Sequence, residues 1–268
     1  MTITFLWVAD PHFNFLGASG WRYFKHQLAF YPKEVPLVIT GDIAESHNFS
    51  MYLRELEEEG RNVYFVLGNH DFYGDSIAAT RDRARSHPGY LEGMAEPVRL
   101  SDATCLVGVD GWYDFKEGAG ADTQLRMSDW ELITDFKGRP LPTIAKMSHT
   151  LARQSAVLAA EKLKYAFTKY KTVYLATHVP PFLEAALAPS RLPSDKDWAP
   201  VMVNTVLGES VRSVRMGKFL HVLCGHTHTE AHMDVPVSRM SQGEPNVQVS
   251  VGRANYGDVF IKELRHSE

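Results

Sequence analysis

Two cysteines in 268 residues offer no disulfide framework and no cysteine-based zinc knuckle. Both, Cys105 and Cys224, lie inside apolar runs, where a thiol packs as a small hydrophobe. Charge of one sign is scarce too. The formal net charge is −4 with no long run of a single sign, whereas a protein built mainly to wrap nucleic acid carries a basic surplus. A local positive pocket for a phosphate stays compatible with that balance. No apolar segment reaches the length of a membrane span. The apolar start, Met1 to Val8, has no basic lead-in and runs straight into Asp10. It reads as a first strand, not a signal peptide. These absences point to a cytoplasmic protein without a membrane partner. Internal repeats and domain linkers are missing as well.

What is there is ordinary in bulk. Hydrophobic content of 44% and charged content of 22% suit a soluble globular chain. The length can bury a full core and fits one large α/β domain over residues 1–268.

The order of elements is more telling. Thr2 to Ala9 is strand-like and ends at Asp10-Pro11-His12; Trp21 to Phe30 follows with helical character. Pro36 to Thr40 is a second buried strand, stopped by Gly41-Asp42, and Phe49 to Glu58 is an amphipathic helix closed by Gly60. Val63 to Leu67 is a third strand, delivering Gly68-Asn69-His70-Asp71, with Asp75 to Arg85 helical after it. Three strand–loop–helix units in succession predict a parallel βαβαβ sheet. Short strands are expected at Val98 to Leu100 and Thr104 to Val109. Gly111 to Pro142 has no clear period and is expected to form an insertion over one rim, a lid. Ile144 to Tyr170 is the longest helical pattern. Thr172 to Thr177 is a strand ending at His178. Asn204 to Met216 is helical, and Phe219 to Cys224 is a strand ending at Gly225-His226-Thr227-His228. Ala231 to Val251 and Val259 to Ile261 read as antiparallel strands.

Five strand ends therefore carry candidate ligands: Asp10 with His12, Asp42, Asn69 with His70, His178, and His226 with His228. In extended backbone, residues two apart point to the same side, so Asp10/His12 and His226/His228 can each converge. The glycines at 41, 68 and 225 let the chain turn beside the site. Oxygen and imidazole donors without thiolate suit Mn(II), Fe or Zn. These donors exceed what one catalytic metal needs and fit two metals sharing a bridging carboxylate.

Asp10-x-His12, Gly41-Asp42, Gly68-Asn69-His70-Asp71, His178 and Gly225-His226-Thr227-His228 resemble the calcineurin-like metallophosphoesterase superfamily, in the family's order and across most of the chain. Asn69 to Gly74, Trp112 and the Met127-x-Asp129 stretch are similar to a small bacterial and phage-type branch of it. The resemblance implies a four-layer αββα sandwich with a dinuclear site at the carboxyl ends of the sheets. It implies that Asp10, His12 and His228 hold the first metal, that Asn69, His178 and His226 hold the second, and that Asp42 bridges them. His70 is implied to be catalytic, stabilising the transition state or protonating the leaving oxygen, with Asp71 orienting it. The reaction implied is hydrolysis of a phosphate ester by a metal-bridging hydroxide.

Two positions depart from the family pattern: Glu45 stands where Asp or Asn is common three residues after the bridging Asp42, and Ala9 stands where Ser is common. Neither removes a ligand. The basic run Arg81, Arg83, Arg85 is expected to be a solvated helix face. The aromatic residues of the insertion are expected to pack and not to stack on a base.

The expected function is a metal-dependent phosphoesterase acting on a small substrate, with a slight preference for phosphodiesters such as a cyclic nucleotide, a nucleotide conjugate or a nucleic-acid end. The alternatives are a phosphomonoesterase or protein phosphatase, which would use extra arginines (Arg22, Arg126 and Arg253 are candidates), and a non-catalytic scaffold of the same fold.

Overall fold

The computed structural model describes residues 3–45, 47–186, 196–213, 218–235 and 246–265. The first sheet has the order β10-β1-β2-β3, formed by Lys262–Arg265, Ile3–Val8, Leu37–Thr40 and Val63–Val66. The second has the order β4-β5-β6-β7-β9-β8, formed by Val98–Arg99, Thr104–Gly108, Thr172–Ala176, Phe219–Cys224, Val247–Val251 and Ala231–Asp234. The inner pairs β1–β2, β2–β3, β5–β6, β6–β7 and β7–β9 are parallel, and the edge strands β10, β4 and β8 pair antiparallel.

A parallel strand buried on both faces reads as a continuous apolar run, which is why these strands were visible in the sequence. The period of two then divides each run between two cores. Phe5 and Trp7 of β1, Val38 of β2, Val66 of β3, Leu106 of β5 and Tyr174 of β6 meet between the sheets, with Phe5 edge-on to Tyr174 at 4.9 Å between ring centroids. Their neighbours Leu6, Val8, Leu37, Ile39 and Phe65 face outward onto a first helix layer containing α1 (Gly17–Leu28) and α2 (Asn48–Glu58). Cys105, Val107, Val173, Leu175, Leu220 and Val222 face outward onto a second layer containing α5 (Leu141–Lys169) and α7 (Thr205–Arg212). The layers thus run helix, sheet, sheet, helix. Short helices α3 (Ile77–Ala84), α4 (Ser128–Leu132) and α6 (Leu183–Ala186) complete the order.

Three expectations shift. The long helix starts at Leu141, inside the stretch read as insertion, because Pro140 caps it and Pro142 occupies its first turn, where a missing N–H costs nothing. Val259 and Ile261 are not strand; they pack as coil against the first helix layer, and the polar Lys262–Arg265 forms the edge strand instead. The arginine run is a solvated face only in part: Arg85 is exposed, whereas Arg81 turns inward to Asp110 (3.1 Å) and Glu92 (3.3 Å), and Arg83 pairs with Asp75 at 2.8 Å. The Pro-rich stretch near Pro189, Met216 and His266 lie outside the described residues.

Candidate metal centre

The carboxyl ends of β1, β2, β3, β6 and β7 lie at one rim of the two sheets, so the loops that follow them meet. The first two are laced by their backbones: His12 N–H donates to Asp42 O (3.0 Å) and Phe13 N–H to Ile43 O (2.8 Å). Each key carboxylate also accepts an amide from a distant loop, Asp10 from His226 N–H (2.9 Å) and Asp42 Oδ1 from His70 N–H (2.9 Å). All eight sequence-derived residues, Asp10, His12, Asp42, Asn69, His70, His178, His226 and His228, come together here.

The way they converge differs from the expectation. Asp10, His12, Asp42, His226 and His228 all have positive φ, between 41° and 72°. Among the described residues only Phe115 shares that left-handed conformation outside glycine. Such backbone is held only where the surroundings over-determine it, and it clusters at functional sites. The side chains therefore turn inward on strained loop residues, not by alternation along a strand. The glycines act through size as well as rotation. A Cβ on Gly68 would collide with the Asp42 carboxylate, and one on Gly225 with that of Asp10.

Two groups of ligand atoms result, His12 with Asp42 and His228, and Asp10 with Asp42 and His178. Asp42 belongs to both, and its two oxygens divide between them: Oδ1 lies 3.5 Å from His178 Nε2, Oδ2 3.7 Å from His12 Nε2. Asp10 makes its ion-pair contact with His178, Oδ1 to Nδ1 at 3.3 Å. On one side His12 Nε2 and His228 Nε2 face each other at 3.1 Å. On the other, Asn69 Oδ1 lies 2.9 Å from His178 Nε2 and 3.1 Å from His226 Nδ1, with those two nitrogens 3.2 Å apart.

That second cluster is a direct test of fit for a cation. His178 Nδ1 donates to Thr40 O (3.0 Å), and His226 Nε2 donates to Val201 O (2.7 Å). Each neutral ring then presents a bare lone pair from its other nitrogen. Asn69 Nδ2 donates to Asp129 Oδ1 (2.9 Å), which turns Oδ1 toward both rings. Three lone-pair atoms thus crowd one point with no proton among neutral partners to link them, an arrangement relieved by a divalent ion.

Electrostatics agree. Burial pushes the His12 and His226 pKa values down to about 3, so both rings are neutral donors at ordinary pH. Burial lowers that of His228 as well. Burial and the Asp42 charge hold the Asp10 carboxyl well above its usual range. Burial alone would raise the Asp42 pKa, but His178 first, then His70 and His12, each when protonated, together with the His70 N–H on Oδ1, bring it below its usual range.

One expected contact is replaced. Asp71 does not orient His70: its Oδ1 accepts from Ala44 N–H (3.0 Å) and its Oδ2 from Gly68 N–H (2.8 Å). Residues 69–72 form a 3-10 turn, in which successive side chains diverge by about 120°, so sequence neighbours point apart. The carboxylate facing His70 is that of Glu45, with Oε1 3.9 Å from Nδ1, while His70 Nε2 lies 4.0 Å from Asp42 Oδ2. The rings of Tyr73 (4.4 Å) and His12 (4.7 Å) flank His70.

Sequence reasoning assigned no role to Asp129, Tyr256 and Phe15, which border the site. Asp129 accepts from Asn69, from Tyr73 Oη (2.6 Å) and from Tyr113 Oη (2.8 Å). Tyr256, half-exposed, lies over His12 with centroids 4.6 Å apart, and half-exposed Phe15 stands 5.0 Å from Tyr256. The Met127-x-Asp129 pattern was a signal for the first; nothing local marks Tyr256.

A model of the calcineurin-like phosphoesterase family matches residues 3–230. A dimetal phosphatase from Danio rerio is 14% identical with a TM-score of 0.56, covering 93% of this chain and 87% of its own. The calcineurin-like phosphoesterase YfkN from Bacillus subtilis is 10% identical with a TM-score of 0.44, covering 97% of this chain and 88% of its own. No curated protein matches the chain in a sequence search. The match extends over nearly all the strand ends described above, and the chain belongs to the calcineurin-like phosphoesterases, metal-dependent hydrolases of phosphate esters.

Proposed function

We propose that the protein is a dinuclear phosphoesterase with a preference for phosphodiesters of nucleotide type. The observation that carries the dinuclear reading is the division of the Asp42 oxygens between two imidazole groups. In this reading, which follows the family pattern and not the Asp10–His178 contact, His12, His228 and Asp10 would hold one ion, Asn69, His178 and His226 would hold the other, and Asp42 would serve both. The donor set suits Mn(II), Fe or Zn. When bound, two such ions supply Lewis acidity and an acidified water.

The chain's own residues do the rest. Backbone hydrogen bonds to Asp10 and Asp42 fix the carboxylates, so little reorganisation accompanies turnover. His70, beside Asp42 and in contact with Tyr73, hands a proton from Nε2 to the leaving oxygen. Glu45 faces its Nδ1 at 3.9 Å.

The diester preference rests on what surrounds the metals. Among the described residues, the ion pairs reaching the site are all between histidine and carboxylate. Arg22 and Arg126 are exposed, and Arg253 stacks on Phe260 at 4.5 Å. Among the described residues no arginine is ion-paired at the site to clamp a doubly charged monoester. Phe15 and Tyr256 instead offer an aromatic border on which a planar base can stack.

The test is turnover of bis(p-nitrophenyl) phosphate against p-nitrophenyl phosphate, on metal-stripped protein refilled with Mn(II). Faster diester cleavage is expected, falling about a thousandfold in Asp42→Asn as several kcal/mol of transition-state stabilisation are lost. Faster monoester cleavage would transfer the reading to a phosphatase. No turnover of either ester, with two metals bound, would favour the scaffold.

A further inference from the structure

An asparagine is an ambiguous metal ligand. Its amide oxygen and nitrogen are nearly the same size, and a flipped side chain would aim an NH2 group at the ion. Something must hold Asn69 with Oδ1 inward. The backbone does not do so, since no main-chain group bonds this amide among the described residues.

The group that does is Asp129, on α4, inside the stretch read from sequence as a lid. Its side chain is fully buried, and both oxygens are committed. Oδ1 accepts from Asn69 Nδ2 (2.9 Å) and Tyr73 Oη (2.6 Å), and Oδ2 accepts from Tyr113 Oη (2.8 Å). Burial first, and the Asp129 charge second, push both tyrosine pKa values far up, so the two hydroxyls remain donors. A carboxylate surrounded by donors can only accept. A flipped Asn69 would set Oδ1 against a carboxylate oxygen and leave that buried acceptor short of a partner.

Two further facts tie this group to the metal pocket. The same carboxylate anchors the ring packed on His70 (Tyr73, 4.4 Å) and the ring stacked beside His226 (Tyr113, 6.1 Å). Its three hydrogen-bond partners are all neutral, so its charge is buried without a cationic partner among them. Burying such a charge is costly unless a cation arrives nearby.

We propose that Asp129 is a positioning residue of the insertion: it selects the amide orientation of Asn69 and thereby sets the affinity of the second metal. The insertion is then the outer wall of that pocket and not only a cover. This inference rests on reading Asn69, His178 and His226 as one metal pocket, and the experiment separates the two.

Metal-stripped protein is titrated with Mn(II) by calorimetry, with stoichiometry checked by elemental analysis. Wild type is expected to take up two ions. Asp129→Leu, branched at the same carbon but bulkier and unable to accept, is expected to weaken the second ion by about 10- to 100-fold and the first by no more than about threefold. Asp129→Asn keeps an acceptor oxygen for Asn69 and is expected to recover most of the loss. In an Asn69→Ala background, Asp129→Leu is expected to have no further effect on Mn(II) affinity.

Fewer than two ions on wild type would remove the pocket reading itself. Two ions on wild type with unchanged binding in Asp129→Leu would overturn the Asp129 proposal alone. Equal weakening of both ions, or a full effect persisting without Asn69, would also overturn it by making Asp129 a general support of the fold. If Asp129→Leu shows no cooperative unfolding, Asp129→Ser replaces it, too short to reach Asn69 and subject to the same outcomes.

Discussion

The two halves of the centre are built differently. Around Asn69, His178 and His226, every ligand has its far atom tied: to Asp129, to Thr40 O and to Val201 O. Around His12 and His228 the arrangement is looser. His12 Nδ1 is buried without a hydrogen-bond partner, and the rings are bordered by half-exposed Phe15 and Tyr256. Outer hydrogen bonds fix tautomer and ring orientation before an ion arrives, so the first half begins with an affinity advantage. The half around His12 keeps its rings adjustable and lies toward the aromatic border. On the proposed reading one half would hold its ion and the other would meet substrate.

If that division is right, the largest effect on chemistry without an effect on holding comes from His70. His70→Gln is expected to lower kcat by about 10²- to 10⁴-fold for alkyl esters, where the leaving oxygen needs a proton, and by far less for nitrophenyl esters. Both metals should remain by elemental analysis. Equal losses for the two leaving groups would reduce His70 to a charge near the site and erase its assignment to the working half.

Removal of metal probes the comparison itself. A chelator series on the loaded protein is expected to release two ions in separate steps, with dissociation constants about tenfold or more apart. The ion beside His12 and His228 should leave first. Site identity follows from repeating the series on His228→Ala, in which only the tighter step should survive. Simultaneous release in wild type would mean that Asp42 couples the halves too strongly for their outer contacts to matter.

The strand ends that build both halves were legible because each buried parallel strand is a continuous apolar run and stops at a ligand. Residue types at those ends were enough to name the donors. What was hidden depended on distance in the chain or on local geometry. Asp129 bonds Asn69 across sixty positions, and no local pattern announces such a pair. Left-handed backbone at Asp10, His12, Asp42, His226 and His228 is uncommon outside glycine, although Asp and His adopt it more readily than most, so strand alternation does not describe how these residues converge. Asp71 stands next to His70 in sequence, yet a 3-10 turn directs it to the amides of Ala44 and Gly68. Arg81 looked solvated because its partners Glu92 and Asp110 are contributed by later elements.

Asp71 offers a smaller and different test, because it joins the loop that carries Asp42 to the loop that carries Asn69. Its two oxygens satisfy two buried amides, and Asn at this position would present an NH2 group to one of them. Asp71→Asn is expected to cost about 1–3 kcal/mol in unfolding free energy, read as a fall in Tm of about 2–4 °C per kcal/mol for a chain of this size. The leaving-group dependence of turnover should not change. A shift in that dependence would restore the pairing of Asp71 with His70 that the structure replaces.

The mildest test concerns the frame beneath the tied half. Asp110 accepts from Leu67 N–H (2.9 Å) and its carbonyl receives His178 N–H (2.8 Å), so it supports the strands that carry Asn69 and His178. Its neighbour Glu92 has a pKa pushed up to about 7, first by burial and then by the Asp110 charge. An acid whose pKa is raised on folding binds its proton more tightly in the folded state. Its contribution is therefore complete below its ordinary value of 4.5 and is lost as pH rises through about 7. Between those limits the unfolding free energy of metal-free protein should decline with pH, by at most about 1.4 kcal/mol per unit for this one proton. Glu92→Gln, neutral throughout, should flatten that part of the profile and leave both metal affinities in place. A profile unchanged by the substitution would assign the slope to other groups. A loss of the tighter metal would show instead that the frame, and not only the outer hydrogen bonds, makes the tied half tight.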